Sequence, residues 1–232
     1  MAGRTVLSAR LRTALNYIKK GDRVADIGTD HAYLPIHLLR EGIASRVLAA
    51  DINRGPLESA KNNLRDAGLL HAADLLETDG LCGVEKWSPD RILIFGMGGE
   101  LILRILSDAP WIRTPEIGLV LQPMTRASVL RKWLVEEGFC STGEPLCTED
   151  GRLSQTIAAT WDGVRRTAED AELLLGSWNI QNRPPLFEAF VRHELEVLQQ
   201  IKKGKARAAC VDTKKEDVLI ETLEQLLEGG CK

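Results

Sequence analysis

The residues best able to do chemistry stand at 26–33, where Asp26-Ile27-Gly28-Thr29-Asp30-His31-Ala32-Tyr33 gathers two carboxylates, a glycine and a histidine. A carboxylate can hold a cationic group or accept from N–H and O–H donors, and the glycine lets a ligand approach the backbone closely. Asp51 follows Asp26 by 25 residues, a position from which an acid can accept from both hydroxyls of a ribose. Thr78-Asp79-Gly80-Leu81 supplies a third acid, suited to the amino group of a purine. Phe95-Gly96-Met97-Gly98-Gly99-Glu100 carries three glycines in four residues and so exposes backbone amides and carbonyls to a flat ligand. Gln122-Pro123-Met124 offers a side-chain amide. Taken singly, each group also fits a tight turn, a helix cap or a packing loop.

The elements that must position these groups alternate. Residues 6–19 have helical spacing (Leu7, Leu11, Leu15, Ile18), which predicts a short amphipathic opening helix. Residues 23–28 form a compact strand that stops at Gly28. A helix follows at 33–41 with Gly42 as its cap, then a strand at 45–51 and a helix that Asn53 caps, Pro56 begins and Gly68 ends. Strands at 74–78, 91–95 and 118–121 alternate with helices at 100–106 and 128–137. Two closing strands, 141–147 and 154–161, are joined through the turn Glu149-Asp150-Gly151. Five strand–helix steps plus a closing hairpin predict an α/β fold: the Rossmann-like, seven-stranded sheet of class I methyltransferases, with one antiparallel strand near an edge.

Each candidate acid therefore falls at the carboxyl end of a strand, where open α/β sheets bind ligands. Three such acids at successive strand ends point to an adenosyl group. The first loop decides between cofactors. Dinucleotide sites use G-x-G-x-x-G, but Asp30 occupies the second glycine position here and would repel a pyrophosphate. Together Asp26 and Asp30 suit the sulfonium and ammonium of S-adenosyl-L-methionine. The expected cofactor-binding set is Asp26, Gly28, Thr29, His31, Asp51, Ile52, Asp79, Gly80 and Phe95. The remaining histidines, His37, His71 and His193, read as surface or packing residues.

Beyond residue 162 the pattern changes. Asn182-Arg183-Pro184-Pro185 breaks the chain. One apolar stripe then runs through Phe187, Phe190, Val191, Leu195 and Leu198, and another through Val218, Leu219, Leu223, Leu226 and Leu227. These predict a coiled-coil-type helical hairpin whose turn is Lys202-Lys203-Gly204-Lys205-Ala206-Arg207. Two domains are expected, 1–162 for the cofactor and 163–232 for the hairpin.

With 232 residues, of which 44% are hydrophobic, the chain can bury a core, and its formal charge of −3 leaves a nucleic-acid partner to local basic surface. The turn at 202–207 and the acid-free first 20 residues, with Arg4, Arg10, Arg12, Lys19 and Lys20, are such places. Five cysteines (82, 140, 147, 210 and 231) show no zinc spacing, so no metal is expected, and the thiols read as reduced. No apolar run reaches the roughly 20 residues of a membrane span. A cytoplasmic protein with no membrane partner, monomeric or weakly dimeric, is the expectation.

Leu7-Ser8-x-Arg10-Leu11, D-I-G-T-D-H-A-Y-L-P at 26–35, T-D-G-L at 78, G-M-G-G at 96 and Q-P-M at 122 together resemble the bacterial tRNA adenine-N1 methyltransferases of the TrmK family. The match runs in order over most of residues 7–160, and that family carries a similar C-terminal helical hairpin. One departure is Thr78, where the family pattern tends to glycine. The resemblance implies methylation of N1 of an adenine in the D-arm region of tRNA, at position 22. Catalytic roles then fall to Asp30, Gly96 and Met97, with Asp30 or the carbonyls of Gly96 and Met97 accepting from the adenine N6 group. Substrate contacts fall to Arg10, Tyr33, Gln122, Lys202, Lys203, Lys205 and Arg207. A methyltransferase acting on a small molecule, which needs no basic hairpin, and a non-catalytic S-adenosylmethionine- or RNA-binding protein are the alternatives.

Overall fold

The computed structural model describes residues 7–207 and 213–229, with the backbone only at Arg207. The strands of the parallel sheet appear where alternation places them: β1 (Asp22–Ile27), β2 (Ala44–Asp51), β3 (Ala73–Glu77), β4 (Arg91–Met97) and β5 (Gly118–Pro123). Helices α2 (Tyr33–Arg40), α3 (Arg54–Asp66), α4 (Gly99–Ser107) and α5 (Ala127–Glu136) connect or follow them. Strands β6 (Phe139–Gly143) and β9 (Ile157–Trp161) complete a seven-stranded sheet of order β3-β2-β1-β4-β5-β9-β6. Strand β9 runs antiparallel to both neighbours.

The inner strands are apolar on both faces because helices cover both sides. Val47, Val24, Leu93 and Val120 enter one core layer with Leu34, Leu38 and Leu64. Their neighbours Leu48, Ala25, Ile92, Ile94, Leu119 and Leu121 enter the other with Ile102, Leu106 and Leu130. Period-two alternation thus sorts one strand between two cores. Gly42 and Gly68 end α2 and α3 with φ of +62° and +72°, a conformation that costs glycine least.

Four local expectations are corrected. The opening helix is only α1 (Ala9–Arg12) plus a 3-10 turn at Leu15–Tyr17, because Ala14 and Ile18 are drawn into the sheet's core. The acid Glu149 and residues 150–151 do not join the sheet's last two strands. They form the turn of a separate two-stranded sheet, β7 (Leu146–Glu149) with β8 (Arg152–Gln155), inserted between β6 and β9. Asn53 precedes α3 but makes no side-chain cap; its own amide instead donates to Asp51 Oδ1 at 2.7 Å. The basic run at 202–207 is no turn, for it forms the last turns of α8 (Phe187–Arg207).

Helices α6 (Asp170–Leu175), α7 (Ser177–Asn182), α8 and α9 (Lys214–Glu228) follow the sheet. Ala171, Leu175, Phe187, Phe190, Val191, Leu198 and Leu223 form their own apolar cluster. Leu146 and Leu153 of the β7–β8 sheet pack against it, so packing crosses the expected boundary at residue 162. Among the described residues no helix is long and apolar enough to cross a membrane.

Helix α4 begins under α5. A Cβ on Gly99 would lie 2.5 Å from the Arg126 carbonyl oxygen and 2.8 Å from that of Thr125, and neither backbone atom can yield cheaply. Gly99→Ala is expected to cost roughly 1–3 kcal/mol, the scale of a forced overpacking with backbone shift. A denaturant melt checks it, and an unchanged midpoint would show that the α4–α5 junction gives way freely.

Candidate active site

Because β1 to β5 are parallel, their carboxyl ends share one sheet edge. The strand order therefore sets the candidate groups in a row: Asp79 after β3, Asp51 closing β2, the 28–33 turn after β1, the Gly96 turn ending β4, and Gln122 in β5. A row about four strand spacings long, on the order of 19 Å, can lay out an elongated nucleoside with a charged tail and an acceptor beside it.

The first turn folds back on β2. Gly28, at φ +78°, and Thr29 both donate their amides to the Ala50 carbonyl, at 2.8 and 3.0 Å. Ala32 enters α2 with φ +53°, a strained value for a residue with a side chain, and Asn63 Nδ2 fastens the turn by donating to the His31 carbonyl at 3.0 Å. Asp26 is buried, and its pKa is pushed up to about 6, chiefly by burial and further by the nearby Asp51 charge, with Thr29 tempering the rise. The Thr29 hydroxyl is itself buried and lacks a partner of good hydrogen-bond geometry. A desolvated carboxylate beside a buried hydroxyl whose hydrogen bonding is incomplete fits a cationic, hydrogen-bonding ligand such as the amino-acid end of S-adenosyl-L-methionine.

Asp30 is largely exposed and stands 3.4 Å from His31 Nε2. The His31 ring packs on Tyr33 at 5.2 Å between centroids, and Tyr33 is 44% exposed, which leaves an aromatic face at the turn. Asp51 has spent one oxygen on the Asn53 amide, and Ile52 beside it holds its side chain 58% exposed. Asp79 Oδ1 pairs with Arg104 Nη2 at 3.2 Å, a partner across 25 residues with no signal in the local sequence. Gly80, at φ +59°, backs onto Ile105. The ring of Phe95 packs against the inner core, leaving its backbone at the edge.

The acceptor side differs from the sequence reading in three ways. Gln122 is 1% exposed, and its Oε1 accepts the Gly96 amide at 3.0 Å, so it braces the Gly96 turn from beneath instead of lining an open cleft. The Met97 carbonyl already accepts from Met124 N–H at 2.8 Å, and Gly96 beside it turns at φ +76°. The Met97 side chain instead covers Gly28, where a Cβ would lie 2.2 Å from its Cε. Arg10 reaches this turn from α1: its Nη1 donates to Gln122 Oε1 at 3.4 Å, and its Nε lies 3.7 Å from Glu149. Glu149 had no motif to reveal it.

The distant lysines also change character. Lys202 pairs with Asp217 and Lys205 with Glu216, so these two charges are partly spent on α9; Lys203 is exposed. The side chain of Arg207, like the whole of Arg4, Cys210 and Cys231, lies outside the described residues.

A mixed seven-stranded sheet in this order, with acids closing its first strands and a glycine turn ending β4, defines a methyltransferase domain, and residues 7–157 match the methyltransferase domain family. The tRNA (adenine(22)-N(1))-methyltransferase of Bacillus subtilis strain 168 is 33% identical over 97% of this chain and 98% of its own length. The solved structure of the Bacillus subtilis TrmK methyltransferase is 32% identical, with a TM-score of 0.78 over 96% of both chains. A Streptococcus pneumoniae relative solved with S-adenosyl-L-methionine is 27% identical, with a TM-score of 0.82 over 96% of this chain and all of the relative. The chain belongs to the tRNA (adenine(22)-N(1))-methyltransferase family.

Proposed function

We propose that the protein transfers a methyl group from S-adenosyl-L-methionine to N1 of the adenine at position 22 of tRNA, the reaction named for its Bacillus subtilis relative. The observation that carries this reading is the row of Asp79, Asp51, Asp26 and the Gly96 turn along one sheet edge, in a chain matching that relative nearly end to end.

When bound, S-adenosyl-L-methionine supplies a methyl group made electrophilic by its sulfonium. Asp26 and Thr29 hold the amino-acid end, Asp51 the ribose hydroxyls, and Asp79 and Ile52 the adenine of the cofactor. No base is needed to create the nucleophile, because adenine N1 already carries a lone pair, so the protein contributes alignment, water exclusion and charge stabilisation. The target base must leave its stack to present that edge, and the His31–Tyr33 aromatic face offers it a surface. Asp30 and the Gly96 carbonyl accept from its N6 group and favour the positive charge that develops on the ring. Lys203 and the other bases of α8 meet backbone phosphate, although the Lys202 and Lys205 ion pairs must loosen or be shared for those two to take part.

Incubation with labelled S-adenosyl-L-methionine and unmodified tRNA, followed by nucleoside analysis, should give 1-methyladenosine, and a tRNA carrying another base at position 22 should give none. Cofactor binding without any tRNA product would move a small-molecule acceptor ahead. Asp30→Ala should lower turnover by roughly 10²–10³-fold, the scale of losing one stabiliser of developing charge. Its melting temperature should hardly move, because Asp30 is largely exposed. A near-normal rate would remove Asp30 from the mechanism.

A further inference from the structure

The small β7–β8 sheet touches the helical unit on one side and the acceptor turn on the other. Toward the helices, Leu146 and Leu153 pack into the α6–α8–α9 cluster. Gln155 accepts from Arg131 Nη2 at 2.5 Å, and Arg131 Nη1 also donates to the Leu173 and Leu174 carbonyls of α6. Toward the sheet edge, Thr156 and Thr13 share a buried 2.7 Å hydrogen bond that ties the end of this sheet to the segment after α1. Glu149 then stands 3.7 Å from Arg10 Nε, a buried nitrogen with no hydrogen-bond partner of its own, so the carboxylate is its nearby compensating charge.

Arg10 carries the connection onward. Its Nη1 donates to Gln122 Oε1 and passes 3.5 Å from the place where a Cβ on Gly96 would sit. Two donors, Arg10 and the Gly96 amide, converge on one oxygen, which fixes the orientation of the Gln122 amide, since its nitrogen in that place would face both donors. The Gly96 turn depends on that brace. It has no side chain, a positive φ, and the β4–β5 register slips between Phe95 and Met97.

We propose that Arg10 and Glu149 are positioning residues, a strut that lets the seating of the helical unit on the β7–β8 sheet set the Gly96 turn at the acceptor side. The proposal rests on the methyl-transfer reading above for its effect on rate, and on geometry alone for its effect on the turn. Bound tRNA that loads the helical unit would then be felt at the turn through Leu146 and Leu153, Glu149, Arg10 and Gln122 in succession.

The test compares the full-length protein with Glu149→Gln, Arg10→Lys and the double variant. Glu149→Gln is expected to lower kcat about tenfold and Arg10→Lys between about tenfold and a hundredfold, with tRNA KM and cofactor Kd within about threefold. The double variant should be no slower than Arg10→Lys alone, because both changes cut one strut. In the protein without tRNA, amide hydrogen exchange at Gly96 should quicken at least about tenfold in both single variants, with Leu93 and Ile94 unchanged. Gly96 exchange identical to the unaltered protein overturns the strut whatever the activity. Losses that multiply, or a rise confined to tRNA KM, overturn it too, the latter by making Arg10 a phosphate contact. Should the unaltered protein transfer no methyl to tRNA, the functional reading falls while the Gly96 exchange still decides the strut.

Discussion

Asp26→Asn is expected to weaken S-adenosyl-L-methionine binding by about a hundredfold at neutral pH while making the unliganded protein more stable. The two effects have one cause. Burial holds the Asp26 pKa at about 6 instead of 3.8, so keeping the carboxylate ionised inside the fold costs on the order of 3 kcal/mol at pH well above 6. A cationic cofactor offsets that cost, and asparagine has nothing to offset. The sign for stability follows from proton uptake. Between pH 4 and 6 the folded state binds more protons at Asp26 than the unfolded state, so this contribution grows more favourable as pH falls through 6 and levels off near 4. Binding runs the other way: cofactor Kd should rise about tenfold per unit as pH drops below 6, and Asp26→Asn should flatten that slope. Calorimetric titrations at pH 5, 6 and 7.5, with melts of both unliganded proteins, read all of this. A variant that binds normally, or melts lower, would take Asp26 out of the cationic end of the site.

Asp51→Ala should raise cofactor Kd by roughly 10²–10⁴-fold, because two charge-assisted hydrogen bonds to ribose hydroxyls contribute about 1.5–3 kcal/mol each and both disappear. The loss is of binding, so saturating cofactor should restore much of kcat, in contrast to Asp30→Ala. The fold should lose little more than the Asn53 amide bond that Asp51 Oδ1 now accepts. 5′-Methylthioadenosine, which keeps the ribose but lacks the charged amino-acid end, should suffer equally from Asp51→Ala but less than S-adenosyl-L-methionine from Asp26→Asn. That comparison separates the ribose end of the row from the cationic end. Equal losses for both ligands in both variants would mean that the two acids act as one cluster.

The strand–helix alternation was legible because its signals are local. Apolar runs such as Arg91 to Phe95, glycine stops at 28, 42 and 68, and acids at strand ends depend on neighbours within a few residues. Parallel pairing then forces the carboxyl ends of the strands to one edge, so the row of Asp26, Asp51, Asp79 and Gly96 was implied by sequence order. The limits of α1 and the identity of the β7–β8 sheet were not legible, since Ala14, Ile18, Leu146 and Leu153 are ordinary apolar residues until a particular surface buries them.

Local signals along the chain specify the inventory and order of the site: which acids, which glycines, and on which strand ends. The tertiary structure decided how those groups are used. It buried Asp26 and raised its pKa, turned Gln122 inward under Gly96, gave Asp79 an arginine from α4, and spent Lys202 and Lys205 on α9. It also brought Glu149 beside Arg10, 139 residues away along the chain. The physical reason is that burial and ion pairing are set by distances between segments remote in sequence, whereas strand ends and turns are set by the chain's nearest neighbours.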